Sequence, residues 1–313
     1  MSIVAVDIGG TQLRTASYPT DSNQATKQAR SFTHESGNSV YDRLVHGIEE
    51  VWPQDRVDAI GMASPGPLDP FSGVILATPN IREWKDFPVG PKLNEQFHVP
   101  VYIDNDGNLA ALAEWKFGAG KGHHNVFYLT VSTGIGGGVI VNDRLLQGHH
   151  GLAGEVGHMM IDPDGPPCGC GGIGHVESFA NGPSIERYVR DQISAGAETT
   201  LPSNANLSTK KIAEAAIQGD KLARSAFARA GEYLGMAVAN YLAIFDPSIV
   251  ILGGGITQVG DLLIDPLKES LKKRVLHPRY LEGLVITTAL LGDDAGLLGA
   301  LALARLYLQK KGN

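Results

Sequence analysis

Between Gly154 and Glu177 the chain concentrates donors that bind metal ions. Gly154-Glu155-Val156-Gly157-His158 is followed by Cys168-Gly169-Cys170-Gly171-Gly172-Ile173-Gly174-His175-Val176-Glu177, which holds the only two cysteines of the 313 residues. Two thiols, two imidazoles and two carboxylates this close together are hard to explain by packing. Thiolate plus imidazole is the ligand set of tetrahedral zinc, and four such donors describe a closed, structural ion rather than a catalytic one. His158, Cys168, Cys170 and His175 are read as its ligands. The bland alternatives are reduced cysteines filling space or a strained disulfide, but Cys-x-Cys is too short to bridge comfortably. With no signal peptide and two cysteines the chain reads as intracellular and reduced, where clustered Cys and His usually mean metal.

A second constellation, Asp104-Asn105-Asp106-Gly107-Asn108, follows the apolar run Val101-Tyr102-Ile103 and precedes a helix expected over residues 109–116. Polar residues at the carboxyl end of a strand are where α/β sheets place chemistry. Asp106 is the candidate general base: a sugar hydroxyl is too weak an acid to ionise beforehand, so a carboxylate must take its proton as a phosphoryl group is transferred. Asn105 would position the same sugar. Asp104, Asp106 and Asn108 are also residue types that cap helices and build turns, and one of them is expected to do only that.

The elements that position these groups follow a repeated design. Ser2-Ile3-Val4-Ala5-Val6-Asp7 is a buried-strand pattern that runs into Gly9-Gly10-Thr11 and then a second strand; Val126 to Val131 runs into Ser132-Thr133-Gly134-Ile135-Gly136-Gly137-Gly138 and a return strand turning at Asn142-Asp143. Both read as glycine hairpins. Their exposed N–H groups, with the Thr11 and Thr133 hydroxyls, suit phosphate oxygens, and Asp7 suits hydrated Mg²⁺. Each turn alone is also compatible with a purely structural hairpin. The usual phosphate motifs are missing: Gly118-Ala119-Gly120-Lys121-Gly122 lacks the Walker spacing, and no GxGxxG opens a helix.

A third apolar run, Ser248 to Leu252, follows a long helix and ends in Gly253-Gly254-Gly255, where a base or ribose could lie close. Asp293-Asp294 is read as the cap of an Ala/Leu-rich helix from Leu297 to Leu308. Ser64-Pro65-Gly66-Pro67 and Thr78-Pro79-Asn80 read as rigid polar turns bracketing a short hairpin, with Asn80 able to bond hydroxyls.

The length points to two domains. The excess of glycine, 39 residues, gathers at the ends of apolar runs, where the backbone can approach a ligand. With 26 basic against 33 acidic side chains the net charge is −7 and there is no basic block, which excludes nucleic acid as an expected partner. No apolar run is long enough for a membrane span, and the first residues form a strand rather than a targeting segment, so a cytoplasmic location is expected.

Assembled, these pieces resemble a ROK-family sugar kinase, most nearly its bacterial glucokinase branch, almost from end to end. Val6 to Thr11 resembles the family's first phosphate loop, Ser64 to Pro67 and Thr78 to Asn80 its sugar loops, and Asn105 to Asn108 its catalytic motif. Thr133 to Gly138 resembles the second phosphate loop, and Gly154 to His158 with Cys168 to Glu177 the zinc signature. The resemblance implies two actin-like α/β domains hinged around a cleft, one of residues 1–117 plus about 300–313, the other 118–299. It implies sugar contacts from Asn80, Asn105, Asp106, Glu155, His158 and Glu177, and nucleotide contacts from Asp7, Gly9, Gly10, Thr11, Thr133, Gly134, Gly136, Gly254 and Gly255. Cofactors would be ATP, Mg²⁺ and structural Zn²⁺, the last ordering the sugar site. One departure stands out: the family usually has a third Cys where this chain has His175.

Transfer to the 6-hydroxyl of glucose is the expected reaction, with Ile81 and Trp84 glucokinase-like. Fructose, mannose, N-acetylmannosamine and N-acetylglucosamine are the alternative acceptors, and ADP or polyphosphate the alternative donors. The rival of another class is a sugar-sensing regulator. Those family members carry an additional N-terminal DNA-binding segment, whereas the first phosphate-loop strand begins here at Ser2. Family likeness also implies a homodimer or homotetramer.

Overall fold

The structure, a computed structural model, describes residues 1–34, 37, 39–78, 81–202 and 207–312. It divides into two compact units: Met1–Gly122 with Arg144–Gly154 and Leu290–Asn313, and His123–Asp143 with Glu155–Ala289.

The first unit contains β1 (Ser2–Ile8), β2 (Gln12–Pro19), β3 (Lys27–Phe32), α1 (Val40–Val51), β4 (Val57–Ser64), β5 (Leu68–Asp69), β6 (Val74–Ile75), α2 (Val89–Phe97), β7 (Val101–Asn105) and α3 (Asp106–Phe117). Its sheet runs β3, β2, β1, β4, β7; β1 pairs antiparallel with β2 and parallel with β4, which pairs parallel with β7. The apolar faces of β1, β4 and α1 meet in one core containing Val4, Val6, Leu44, Ile48, Ile60 and Met62. A capping box between Ser39 and Asp42 starts α1. In β2 burial does not alternate: Thr15 to Tyr18 are all buried, because α1 covers one face and the C-terminal helix packs nearby. The Thr15 hydroxyl is satisfied by the Gly47 carbonyl at 2.7 Å. Trp84 is likewise a core residue, stacked on Phe87 at 5.1 Å between centroids.

The second unit repeats the plan. β8 (Val126–Val131) pairs antiparallel with β9 (Ile135–Val141) and parallel with β11 (Ile249–Gly253), which pairs parallel with β12 (Val285–Thr288); the two-residue β10 (Arg144–Leu145) opens the excursion back to the first unit. Its helices are α4 (Glu177–Ala180), α5 (Gly182–Ser194), α6 (Thr209–Ile217), α7 (Lys221–Phe245) and α8 (Asp261–Arg274). The carboxylate of Asp220 caps α7. Among the described residues no helix is long and apolar enough to cross a membrane.

The last helix, α9 (Ala295–Gly312), returns to the first unit behind a 3₁₀ turn, Gly292–Asp294, that carries the two aspartates. Glu114, fully buried on α3, accepts backbone N–H bonds from Ala119 at 2.8 Å, Leu290 at 2.9 Å and Leu291 at 2.8 Å. It thereby grips the stretch by which the chain first leaves the unit and the stretch by which it last returns.

Candidate active site

In the first unit the parallel register brings the predicted groups to one edge. Asp7 stands beside Ala63, and Ala63 beside Asp104, so the segments after β1, β4 and β7 all emerge at the carboxyl ends of neighbouring strands. The turn after β1 is held by Gly9 N–H donating to Gln12 O at 2.8 Å and by the Thr33 hydroxyl donating to Gly9 O at 2.6 Å. Thr11 at its tip is exposed.

The Asp7 carboxylate packs against Gly296 near the start of α9, where any added side chain would collide with it. Arg14, its partner across the hairpin, ion-pairs with it and donates a second bond to the Asp293 carbonyl at 2.5 Å. Burial pushes Asp7 above the ordinary carboxylate range, against the pull of Arg14. Arg14 was not among the predicted residues; its register opposite Asp7 in a two-stranded hairpin was the available signal.

Asp104 and Asp106 part company. Asp104 is fully buried and accepts from the Asn105 N–H at 2.8 Å, the Asn108 amide at 2.9 Å and the Gln147 amide at 2.6 Å. Burial drives its pKa up and these bonds pull it back. It is scaffolding. Asp106 is exposed and is the first residue of α3. The helix cap is Asn105, whose side-chain oxygen accepts from Gly107 N–H at 2.8 Å, rather than Asp104, Asp106 or Asn108. The hairpin expected between the turns at Ser64 and Thr78 forms as β5 and β6, with Ser64 buried at its approach. Asn80 lies outside the described residues.

In the second unit the turn after β8 closes with Ser132 N–H donating to Gly134 O at 2.9 Å and leaves Thr133 exposed. Gly136 pairs with Thr130 within the hairpin. Gly254, at φ 87°, presses on the Val131 carbonyl, a conformation and a proximity that only glycine allows. A cleft of about 540 Å³ opens beside these turns, lined by Thr133, Glu186, Lys210, Phe227, Gly255 and Ile256. Its apolar wall with a few polar groups suits a planar base and ribose.

Glu155 is exposed and precedes the 3₁₀ turn Val156–His158. His158, Cys168, Cys170 and His175 converge, with one ligand atom from each lying within 4.8 Å of the others. Cys168 Sγ is 3.7 Å from His158 Nδ1, and Cys170 Sγ is 3.3 Å from His175 Nδ1. Tetrahedral zinc with ordinary bond lengths separates sulfur and nitrogen ligands by about 3.6 Å, so the donor set fits that ion, His175 included. Burial pushes the Cys168 thiol up to about 11. A thiolate there calls for a cation.

Glu177 leaves this cluster toward the glycine turn: one carboxylate oxygen accepts the Ile135 N–H at 2.9 Å, and the other lies 3.6 Å from Cys168 Sγ. Asn181, also absent from the predicted set, donates to the Thr133 carbonyl at 3.0 Å.

The ROK family profile matches residues 3–306. This chain belongs to the ROK family. It is 34% identical over 310 residues to a glucokinase of Thermotoga maritima, covering 97% of this chain and 98% of that protein. A ROK hexokinase from Thermus thermophilus superposes with a TM-score of 0.81 at 35% identity, covering all of both chains. A ROK family glucokinase from Streptomyces griseus, solved in complex with glucose and AMPPNP, gives 0.80 at 32%, over 98% of this chain and 100% of that one. The two duplicated units are thus the actin-like domains of a ROK sugar kinase that uses ATP.

Proposed function

We propose that this ROK kinase transfers the γ-phosphoryl group of ATP to the 6-hydroxyl of glucose, with Asp106 as general base. The observation that carries the reading is the contrast at the end of β7, where Asp104 is buried and consumed by hydrogen bonds while Asp106 stands exposed at the edge it shares with Asp7. The hexose hydroxyls are held by Asn80, Asn105, Asp106, Glu155, His158 and Glu177. Asp106 accepts the 6-hydroxyl proton as the bond to phosphorus forms, and ADP departs.

The phosphates lie on the turns at Gly9, Gly10 and Thr11 and at Thr133, Gly134 and Gly136, and the adenosine on Gly254, Gly255 and the adjoining cleft. Mg²⁺ bound with ATP would supply positive charge to the phosphate oxygens, and Asp7 is the residue to hold its hydration shell. His158, Cys168, Cys170 and His175 would hold zinc and fix the imidazole and carboxylate that meet the sugar. The enzyme is read as a cytoplasmic homodimer or homotetramer with no nucleic-acid or membrane partner.

Glucose is supported by the glucokinases among the relatives. The test is a panel of glucose, fructose, mannose, N-acetylmannosamine and N-acetylglucosamine against ATP, ADP and polyphosphate, with zinc quantified and mass measured by light scattering on the same sample. Glucose with ATP should give the largest kcat/KM; a larger value for another hexose overturns the assignment.

A further inference from the structure

We infer that the segment from Glu177 to Gly182 is a strut through which the metal cluster sets the nucleotide affinity of the second glycine turn. The inference rests on the reading that this turn and its cleft take ATP.

The strut grips the turn at three residues. Gly182 N–H donates to Ser132 O at 2.8 Å, the Asn181 amide donates to Thr133 O at 3.0 Å, and Glu177 accepts from Ile135 N–H at 2.9 Å. Gly134, between the last two, has no room for a side chain, because a Cβ there would lie 2.8 Å from the Glu177 carboxylate. The turn therefore takes its shape from the strut as well as from the β8–β9 ladder.

The other end of the strut is the cluster. Glu177 lies two residues beyond His175, and the His175 carbonyl accepts both the Ser178 N–H at 2.9 Å and the Ser178 hydroxyl at 2.7 Å. Glu177 also approaches Cys168 Sγ at 3.6 Å. Between the ends, Phe179 stacks on Tyr233 of α7 at 4.2 Å, and the Arg229 guanidinium sits 4.8 Å from the same ring. Phe179 anchors the strut on α7, and Glu177, just ahead of that anchor, touches both Cys168 and the Ile135 N–H, so displacement of the cluster is passed on to the turn through its carboxylate. Thr133 and Gly182 both line the cleft, so the turn's shape is felt where the nucleotide binds.

The experiment is calorimetric binding of a nonhydrolysable ATP analogue with Mg²⁺, and separately of glucose, to zinc-loaded wild type, chelator-stripped wild type and Asn181→Asp. The variant keeps the oxygen that caps Ser184 N–H at 2.9 Å and loses the donor to Thr133 O. In loaded protein it should bind the analogue about tenfold more weakly with unchanged zinc and nearly unchanged glucose affinity. Stripping should weaken the analogue in wild type, speed amide exchange at Ile135, and add little in Asn181→Asp. If stripped wild type or loaded Asn181→Asp binds the analogue as loaded wild type does, the strut is refuted. If loaded wild type binds no analogue at all, the ATP reading of this turn fails first and the strut falls with it.

Discussion

Asp7 and Arg14 stand opposite each other in the β1–β2 ladder, and their side chains are ion-paired. Burial raises the Asp7 pKa and Arg14 opposes that rise. In the proposed role of holding hydrated Mg²⁺, Asp7 must be ionised, so function should persist above its pKa and be lost as pH falls through it. Arg14→Gln removes the opposing charge. The acid limb of the kcat/KM profile for MgATP should move to higher pH while the glucose KM stays within a fewfold; an unmoved limb would show that Asp7 does not govern it.

Asp106→Asn is nearly isosteric and cannot accept a proton. Its kcat should fall by about 10²–10⁴, the usual contribution of general-base catalysis, with glucose affinity by calorimetry changed only modestly. Asp104→Asn provides the contrast. It removes a buried hydrogen-bonded scaffold, so the loss should appear first in thermal stability. Retained turnover in Asp106→Asn would transfer the base role elsewhere.

One zinc per chain is expected by elemental analysis. Cys168→Ser should abolish binding, whereas His175→Cys should keep it and release zinc to a chelator more slowly, because a thiolate adds ligand charge. If His175→Ala retains zinc at full stoichiometry, His175 is not a ligand.

Asp220 ties the start of α7 to the segment between α5 and α6. Burial opposes its charge, but bonds from the Ala223 and Thr200 N–H groups and the Thr199 and Thr200 hydroxyls outweigh that and hold its pKa at about 2, below the ordinary 3.8. A lowered carboxylate pKa stabilises the fold above the unfolded-state value, and that contribution disappears as pH falls toward the folded-state value. Asp220→Ala should cost about 1–2 kcal/mol at neutral pH, as lost caps do. In urea titrations the gap from wild type should close between about pH 4 and pH 2.

The parts legible in the sequence were those whose chemistry is local. Strand, glycine turn and strand announced both hairpins, and two cysteines with two histidines within a short span announced the cluster. Contacts between distant segments were not legible. Nothing near Glu114 signals that it meets Leu290, 176 residues away, nor that Gln147 reaches Asp104 from 43 residues away. Nor did the sequence show that Trp84, read there only as glucokinase-like, stacks its ring inside the core. Asn105 took the cap expected of its neighbours because it is the last extended residue before α3, with φ −62° and ψ 145°.

Helix α3 bears Asp106 on its first turn and Glu114 two turns further on, about 12 Å along the axis. A rod this short is stiff, and its far end is moored by three backbone bonds, from Ala119, Leu290 and Leu291. Asp106 is thus seated on the same beam as the moorings, with no loop between them.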